Sequence, residues 1–441
     1  MINILMRRIV ITGIGALSPI GNSFRTTWEG VKSGLSGIGS ITRFDASGLP
    51  WKMAGELKGF DAGAFLPAKE INRLDPFVQY AVAASLMAAE DAGLLKQPAV
   101  KEVEKIRRCE DKDSMASHIN SPLVNAGVVI GSSRGGISTI ERSLERARNS
   151  ELRTSNFRLS PYIMPSTTIS MAASYIALRL GIKGHCLGIS NACASGANAV
   201  GEAFRMIKTG YLDLAIAGGT EAPICRLCIE GYGISGASAR LKGDYNQPRP
   251  FSAERDGFVL AEGACVMVLE EYGHALKRGA AIYGEVAGYG NTTDACHMTQ
   301  PDPDGEAMAI KKALEEAGLS PEDIGHISTH GTATRIGDIA ETAALKTVFD
   351  NRASLIPSTA VKSMTGHMLA ASGALEVGLA LMSIRENIIP PTLNIGRKDP
   401  ECDLNIADES RGAEINAAVS NSFGFGGVNA VIVLRDHISF S

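Results

Sequence analysis

Gly188-Ile189-Ser190-Asn191-Ala192-Cys193-Ala194-Ser195-Gly196 joins an apolar, strand-like stretch to a helix of small residues, Ala197 to Ile207. A cysteine at such a junction stands at a helix N-terminus. Unpaired N–H groups and a partial positive charge there favour a thiolate over a thiol. Small neighbours let another molecule approach the sulfur, and a helix this rich in Ala and Gly suits burial between two sheets. A buried structural cysteine would read the same way in isolation. The distinction depends on what else the chain can bring to the sulfur.

Outward from this junction, apolar β-branched runs alternate with helical periodicity. Strands are expected at Arg8 to Gly13, Ala126 to Ile130, Leu214 to Gly219 and Ala264 to Leu269. A second series opens at Tyr283 to Gly288 and continues at Ile324 to Ser328, Ile356 to Thr359, Ala417 to Ser420 and Ala430 to Leu434. Helices are expected at Asp75 to Gly93 (amphipathic, ending at glycine), Glu306 to Ala317, Asp338 to Phe349 and Leu369 to Arg385. Short glycine turns between them point to α/β architecture with mixed sheets covered by helices. Gly13-x-Gly15 with Gly21 is mis-spaced for a dinucleotide loop, because Ser18-Pro19 interrupts where a helix should run. A tight structural turn is expected there instead.

The 441 residues allow two or three domain-sized units, or one large fold with a duplicated core, and 45% hydrophobic content can bury it. A net charge of −4 leaves no basic face for nucleic acid. Eight cysteines show no disulfide or zinc rhythm, and the lone Cys225-x-x-Cys228 favours packing over metal. This usage suits a reduced, cytoplasmic setting. No segment has the roughly 18 uninterrupted apolar residues of a membrane span, and the apolar start is too short for a secretory signal. The mixed-charge stretch 96–123 reads as a surface insertion.

A thiol nucleophile needs a base or cation and an oxyanion stabiliser. Of eight histidines, two follow strands in glycine turns: His330 in His330-Gly331-Thr332-Ala333-Thr334, and His367 in Lys362-Ser363-Met364-Thr365-Gly366-His367. His297 suits a pocket rim, whereas His118, His274 and His437 suit the surface.

With these motifs assembled, residues 8–435 outside the insertion resemble the elongating, cysteine-histidine-histidine β-ketoacyl-acyl-carrier-protein synthases, nearest to ketosynthase II. The resemblance rests on Ala192-Cys193-Ala194-Ser195-Gly196, Arg255-Asp256-Gly257-Phe258-Val259, His330-Gly331-Thr332, Lys362-Ser363-x-Thr365-Gly366-His367 and Asn421-Ser422-Phe423-Gly424-Phe425-Gly426-Gly427, in the family's order. It implies a thiolase-like fold of two five-stranded halves, 6–275 and 276–441, in an α-β-α-β-α sandwich, usually homodimeric. It implies acyl transfer from carrier-protein phosphopantetheine to Cys193, then decarboxylative condensation with malonyl-carrier protein, with no metal or free cofactor. His330 and His367 match the histidines that stabilise the enolate. Lys362 matches the family's lysine, and Glu341 its carboxylate partner. Backbone N–H groups of Cys193 and Phe425 match the oxyanion hole, with Phe425 also the gate. Thr332 and Thr334 match the pantetheine-binding hydroxyls, and Phe258 and Phe423 match pocket residues.

Arg134, in Gly131-Ser132-Ser133-Arg134-Gly135-Gly136, departs from the apolar residue common in fatty-acid relatives, where it lines the acyl pocket. It could turn to the surface or pair with Glu141, or it could make the pocket short or polar. The second possibility raises a type II polyketide or polyene pathway with a partner subunit as the alternative function. A non-catalytic ketosynthase-like subunit is disfavoured by Cys193, both histidines and Lys362. A thiolase would want a second cysteine where Phe423-Gly424-Phe425 stands. Synthases primed by coenzyme A typically replace one histidine by asparagine.

Overall fold

Ten strands make one continuous sheet in a computed structural model that describes residues 7–95, 123–149, 159–240 and 247–438. All but the last residue of the expected 96–123 insertion lies outside these. The first five strands are β1 (Ile9–Leu17), β2 (Gly127–Gly131), β3 (Cys186–Ile189), β4 (Leu214–Glu221) and β5 (Gly263–Glu271). The second five are β6 (Gly284–Thr293), β7 (His326–Ser328), β8 (Ser358–Thr359), β9 (Ala417–Gly424) and β10 (Val428–Arg435). In each set the first strand pairs antiparallel with the fifth and the fifth antiparallel with the fourth. The fourth then pairs parallel with the second, and the second parallel with the third. One five-stranded motif is therefore used twice. The halves join where Ile9–Ile11 meet Gly284–Val286. The two halves need share only the pattern of burial, not the residues, so the repeat expected from the resemblance is visible in strand order rather than in sequence.

Helices α1 (Pro76–Asp91) and α2 (Met171–Leu180) cover the outer face of the first half. Helix α5 (Pro303–Ala317) covers the second half, with α6 (Arg335–Phe349) packed on it. Helices α3 (Ser195–Lys208) and α7 (Ala370–Glu386) lie against each other and touch both halves, and α4 (Arg226–Ile234) follows β4. This layering is the α-β-α-β-α sandwich. The central pair is close because its residues are small. A Cβ on Gly196 or Gly219 would fall 2.1 or 2.3 Å from the Ala370 carbonyl oxygen.

Three local expectations change. Gly13 and Gly15 do not form a turn: they lie within β1, where a Cβ would sit 2.3 Å from Ala88 O and 2.1 Å from Ala84 O of α1. Glycine in a strand here marks close backbone approach. Helix α1 is not amphipathic, since every residue from Phe77 to Leu86 is buried between the sheet and the segments outside it. Asn421 to Phe423 belong to β9, which runs on to Gly424, so the glycine turn is confined to 425–427. Among the described residues, no helix is long and apolar enough to cross a membrane.

Gly15→Val should force α1 off β1 and destabilise the protein by about 3 kcal/mol, the upper range for overpacking. Urea denaturation reads this as a lower midpoint; an unchanged midpoint would contradict the packing.

Candidate active site

The chemistry collects where the parallel strands of both halves end. Cys193 follows β3, His330 follows β7, Lys362 and His367 follow β8, and Phe425 lies in the turn between β9 and β10. Loops beyond the carboxyl ends of parallel strands are where open α/β sheets place ligands. The duplication gives Cys193 and His367 matching places, each just before a central helix.

Cys193 sits in a 3-10 turn, Ala192–Ala194, that leads straight into α3. Ala192 adopts φ +46°, a left-handed value that an alanine takes only under constraint. Gly424 presses on this turn: a Cβ there would come within 3.3 Å of the Cys193 nitrogen. The Cys193 sulfur lies 3.1 Å from His367 Nε2, and the Phe425 N–H donates to it. The expected thiolate is not the resting form. Burial pushes the Cys193 thiol up to about 11, although Lys362 and Arg134 both pull it down. Desolvation outweighs the helix end because Cys193 is buried, only 8% exposed.

Backbone bonds clamp His367 from both sides: its N–H donates to Val259 O at 2.7 Å, and its carbonyl accepts from Ala261 N at 2.9 Å. Its Nδ1 lies 3.3 Å from Ser372 Oγ. The His330 ring stands 5.5 Å from the His367 ring at 83°. Lys362 Nζ lies 3.3 Å from His330 Nδ1 and donates to the His330 carbonyl at 2.5 Å. An ammonium has no acceptor to offer, so Nδ1 must accept and the proton of neutral His330 resides on Nε2. Burial, then the nearby Lys362 charge, holds both imidazoles well below their ordinary pKa. They are neutral hydrogen-bond donors rather than cations.

The expected Lys362–Glu341 pair is corrected. Lys362 pairs with Glu376 of α7 at 2.5 Å. Glu341 instead accepts from the backbone N–H groups of His330 and Gly331 at 2.7 and 2.8 Å, and from Asn421 Nδ2 at 3.0 Å. Helix α6 brings Glu341 to the backbone of the His330 turn, whereas α7 runs beside the ammonium. Glu376 left a signal in the sequence: it is the one charged residue in the stretch 370–384, and a carboxylate buried in such a stretch needs a cation.

A cavity of about 360 Å³ reaches Cys193, His330 and His367, and is lined further by Phe258, Thr332, Thr334, Glu341, Phe423 and Phe425. Phe258 packs edge-on against His367, with ring centres 5.0 Å apart. Thr332 and Thr334 share a hydroxyl–hydroxyl bond of 2.9 Å. Arg255 does not reach the cavity but donates to the carbonyls of Thr334 and Arg335, holding the start of α6. The 425–427 turn is fastened outside by Gly426 N to Met298 O and by Asp294 N to Gly427 O, each 2.8 Å. His297 lies exposed in that outer loop. Arg134 neither lines the cavity nor meets Glu141, whose carboxylate accepts from the N–H groups of Arg226 and Leu227. Arg134 is exposed, as the surface alternative expected, while its Nε donates to the Tyr232 hydroxyl at 2.8 Å, a partner that sequence reasoning missed. Cys225 and Cys228 pack in the apolar cluster around Cys193. Among the described residues, no group of three His, Cys, Asp or Glu could hold a metal ion.

Family models for the β-ketoacyl synthase N-terminal and C-terminal domains match residues 6–275 and 283–396. The 3-oxoacyl-[acyl-carrier-protein] synthase 2 of Synechocystis is 41% identical over 99% of this chain and 100% of its own length. Among solved structures, the ishigamide ketosynthase/chain length factor is 33% identical with a TM-score of 0.85, over 98% of this chain and all of that one. A type II polyketide ketosynthase in complex with its acyl-carrier protein is 32% identical, TM-score 0.83, over 98% and 99%. The chain belongs to the β-ketoacyl synthase family.

For a β-ketoacyl synthase with this buried thiol, alkylation of Cys193 by iodoacetamide should keep accelerating with pH beyond about 9, toward the thiol's value of about 11. Lys362→Met removes a cation that favours the thiolate and should slow alkylation at pH 9. A wild-type plateau by about pH 8.5, where free thiols titrate, would contradict the desolvated thiol.

Proposed function

We propose that this site performs decarboxylative condensation of an acyl-enzyme thioester with malonyl-acyl-carrier protein, giving 3-oxoacyl-carrier protein and carbon dioxide in the cytoplasm. The observation that carries the reading is the convergence on one sulfur: Cys193 Sγ lies 3.1 Å from His367, beside a His330 whose tautomer Lys362 determines.

In the first half-reaction Cys193 attacks the carrier's acyl thioester. Its proton passes through His367 to the departing pantetheine sulfur, so no external acid is consumed. The tetrahedral oxyanion is taken by the N–H groups of Cys193 and Phe425. Thr332 and Thr334 hold the pantetheine arm. In the second half-reaction the malonyl carboxylate leaves as carbon dioxide, and its bonding electrons form an enolate. His330 Nε2–H and His367 Nε2–H donate to the enolate oxygen; His367 reaches that form by giving up its Nδ1 proton and taking one on Nε2 from solvent after the first half-reaction, and Ser372, which can donate to Nδ1, stabilises it. The carbanion attacks the acyl carbonyl and the thiolate of Cys193 departs, taking up one proton from solvent.

Acyl carrier protein is the protein partner. A homodimer is supported by strand β3, the end of the ten-stranded sheet, which leaves one edge without a described partner. Leu178, 66% exposed, lies on α2 against it. Unpaired edges invite strand addition. A type II polyketide or polyene role is the second reading, favoured by Arg134 beside the nucleophile and by the polyketide ketosynthases among the structural neighbours.

Cys193→Ala should abolish acyl loading seen by intact mass spectrometry. His330→Asn should still load but decarboxylate malonyl-carrier protein at least about 100-fold more slowly. Wild-type decarboxylation in His330→Asn would remove His330 from the enolate step. Leu178→Glu should shift sedimentation from dimer to monomer; an unchanged dimer would place the interface elsewhere.

A further inference from the structure

The condensation steps leave one charged group beside the nucleophile without a role. Cys193 packs among Ile224, Cys228, Ile229, Tyr232, Phe258 and Leu260. An acyl group bonded to its sulfur can extend into the cavity or among these side chains. The cavity must admit the malonyl arm while the acyl group is in place, so the acyl chain belongs in the cluster. Arg134 is an exposed residue whose guanidinium reaches the edge of this cluster at Tyr232. Its Nε donates to Tyr232, and its central carbon lies 5.2 Å from the Tyr232 ring centre. Tyr232 in turn packs 5.4 Å from Phe258 and 6.4 Å from Phe425, both of which line the cavity beside the sulfur.

The guanidinium is held at its backbone as well. Glu221, fully buried, accepts from the N–H of Ser133 at 2.7 Å, the N–H of Arg134 at 2.9 Å and the Ser132 hydroxyl at 3.1 Å. Among the described residues, only Nε of the guanidinium has a recorded acceptor, which leaves its terminal N–H groups available. A hydrocarbon tail laid against it would strip water from a charge without replacing a hydrogen bond. An acyl oxygen would instead accept from two parallel N–H groups.

Resting on the condensing role proposed above, we infer that Arg134, held by Tyr232, determines acyl specificity. The site takes short acyl groups bearing a carboxylate or carbonyl oxygen at the far end and discriminates against saturated tails.

Loading of Cys193 from glutaryl-, 5-oxohexanoyl- and hexanoyl-carrier protein, timed by intact mass spectrometry, tests this. Wild type should load at least one oxygenated primer about tenfold or more faster than hexanoyl. The two oxygenated arms separate a carboxylate from a carbonyl preference. Arg134→Ile should reverse the order, and Tyr232→Phe, which frees the guanidinium, should shrink the preference. Hexanoyl loading as fast as both oxygenated primers in wild type, or an unchanged ratio in folded Arg134→Ile, would overturn the inference while leaving condensation intact. Absence of any acyl adduct on wild-type Cys193, acetyl included, would overturn the condensing role itself.

Discussion

Lys362 directs its N–H groups to the Glu376 carboxylate, the His330 carbonyl and the His330 ring, all inside the protein, and the behaviour of the whole site depends on that arrangement. The pair is neutral overall, so it can be buried; removing either partner would leave an uncompensated charge, a loss of about 3–5 kcal/mol. Its field is not neutral locally. It pulls the Cys193 thiol downward against burial and adds to burial, the larger cause, in keeping both imidazoles uncharged. A neutral imidazole can offer an N–H to a developing enolate and release it again. An imidazolium formed beforehand would be a costly charge in the same dry space.

The duplicated fold makes this arrangement possible. Two halves of identical strand order place two strand-to-helix junctions near one another, one bearing the thiol and the other the lysine and histidine. Small residues in α3 and α7 let those helices touch, with Ala370 O close against Gly196 and Gly219. The third wall comes from β9 and β10, whose connecting turn brings the Phe425 N–H to the sulfur. Each junction alone is an unremarkable piece of α/β structure. Only their convergence gives a nucleophile a hydrogen-bonding partner on one side and oxyanion donors on the other.

Much of the site was legible because its residues break local patterns. Cys193 interrupts a run of small residues, His330 and His367 occupy glycine turns after strands, and Phe425 is framed by glycines. Glu376 was missed because an isolated carboxylate in an apolar stretch does not say which distant cation it meets, and Tyr232 because it lies in α4, a helix not expected from the sequence. The misreading of Gly13 and Gly15 has a similar origin. A glycine that makes a turn and a glycine that admits a neighbouring backbone look alike until the neighbour is known.

From the chain alone came the alternation of elements, the set of reactive side chains and their order. These are local properties, expressed over a few residues. The tertiary structure decided which carboxylate meets Lys362, which tautomer His330 adopts, that Cys193 rests as a thiol, and that Arg134 turns to Tyr232 rather than to Glu141. Those outcomes depend on desolvation and on contacts between residues distant in sequence. At the junction 188–196, the helix end favours a thiolate, but the burial imposed by the surrounding layers is the larger effect.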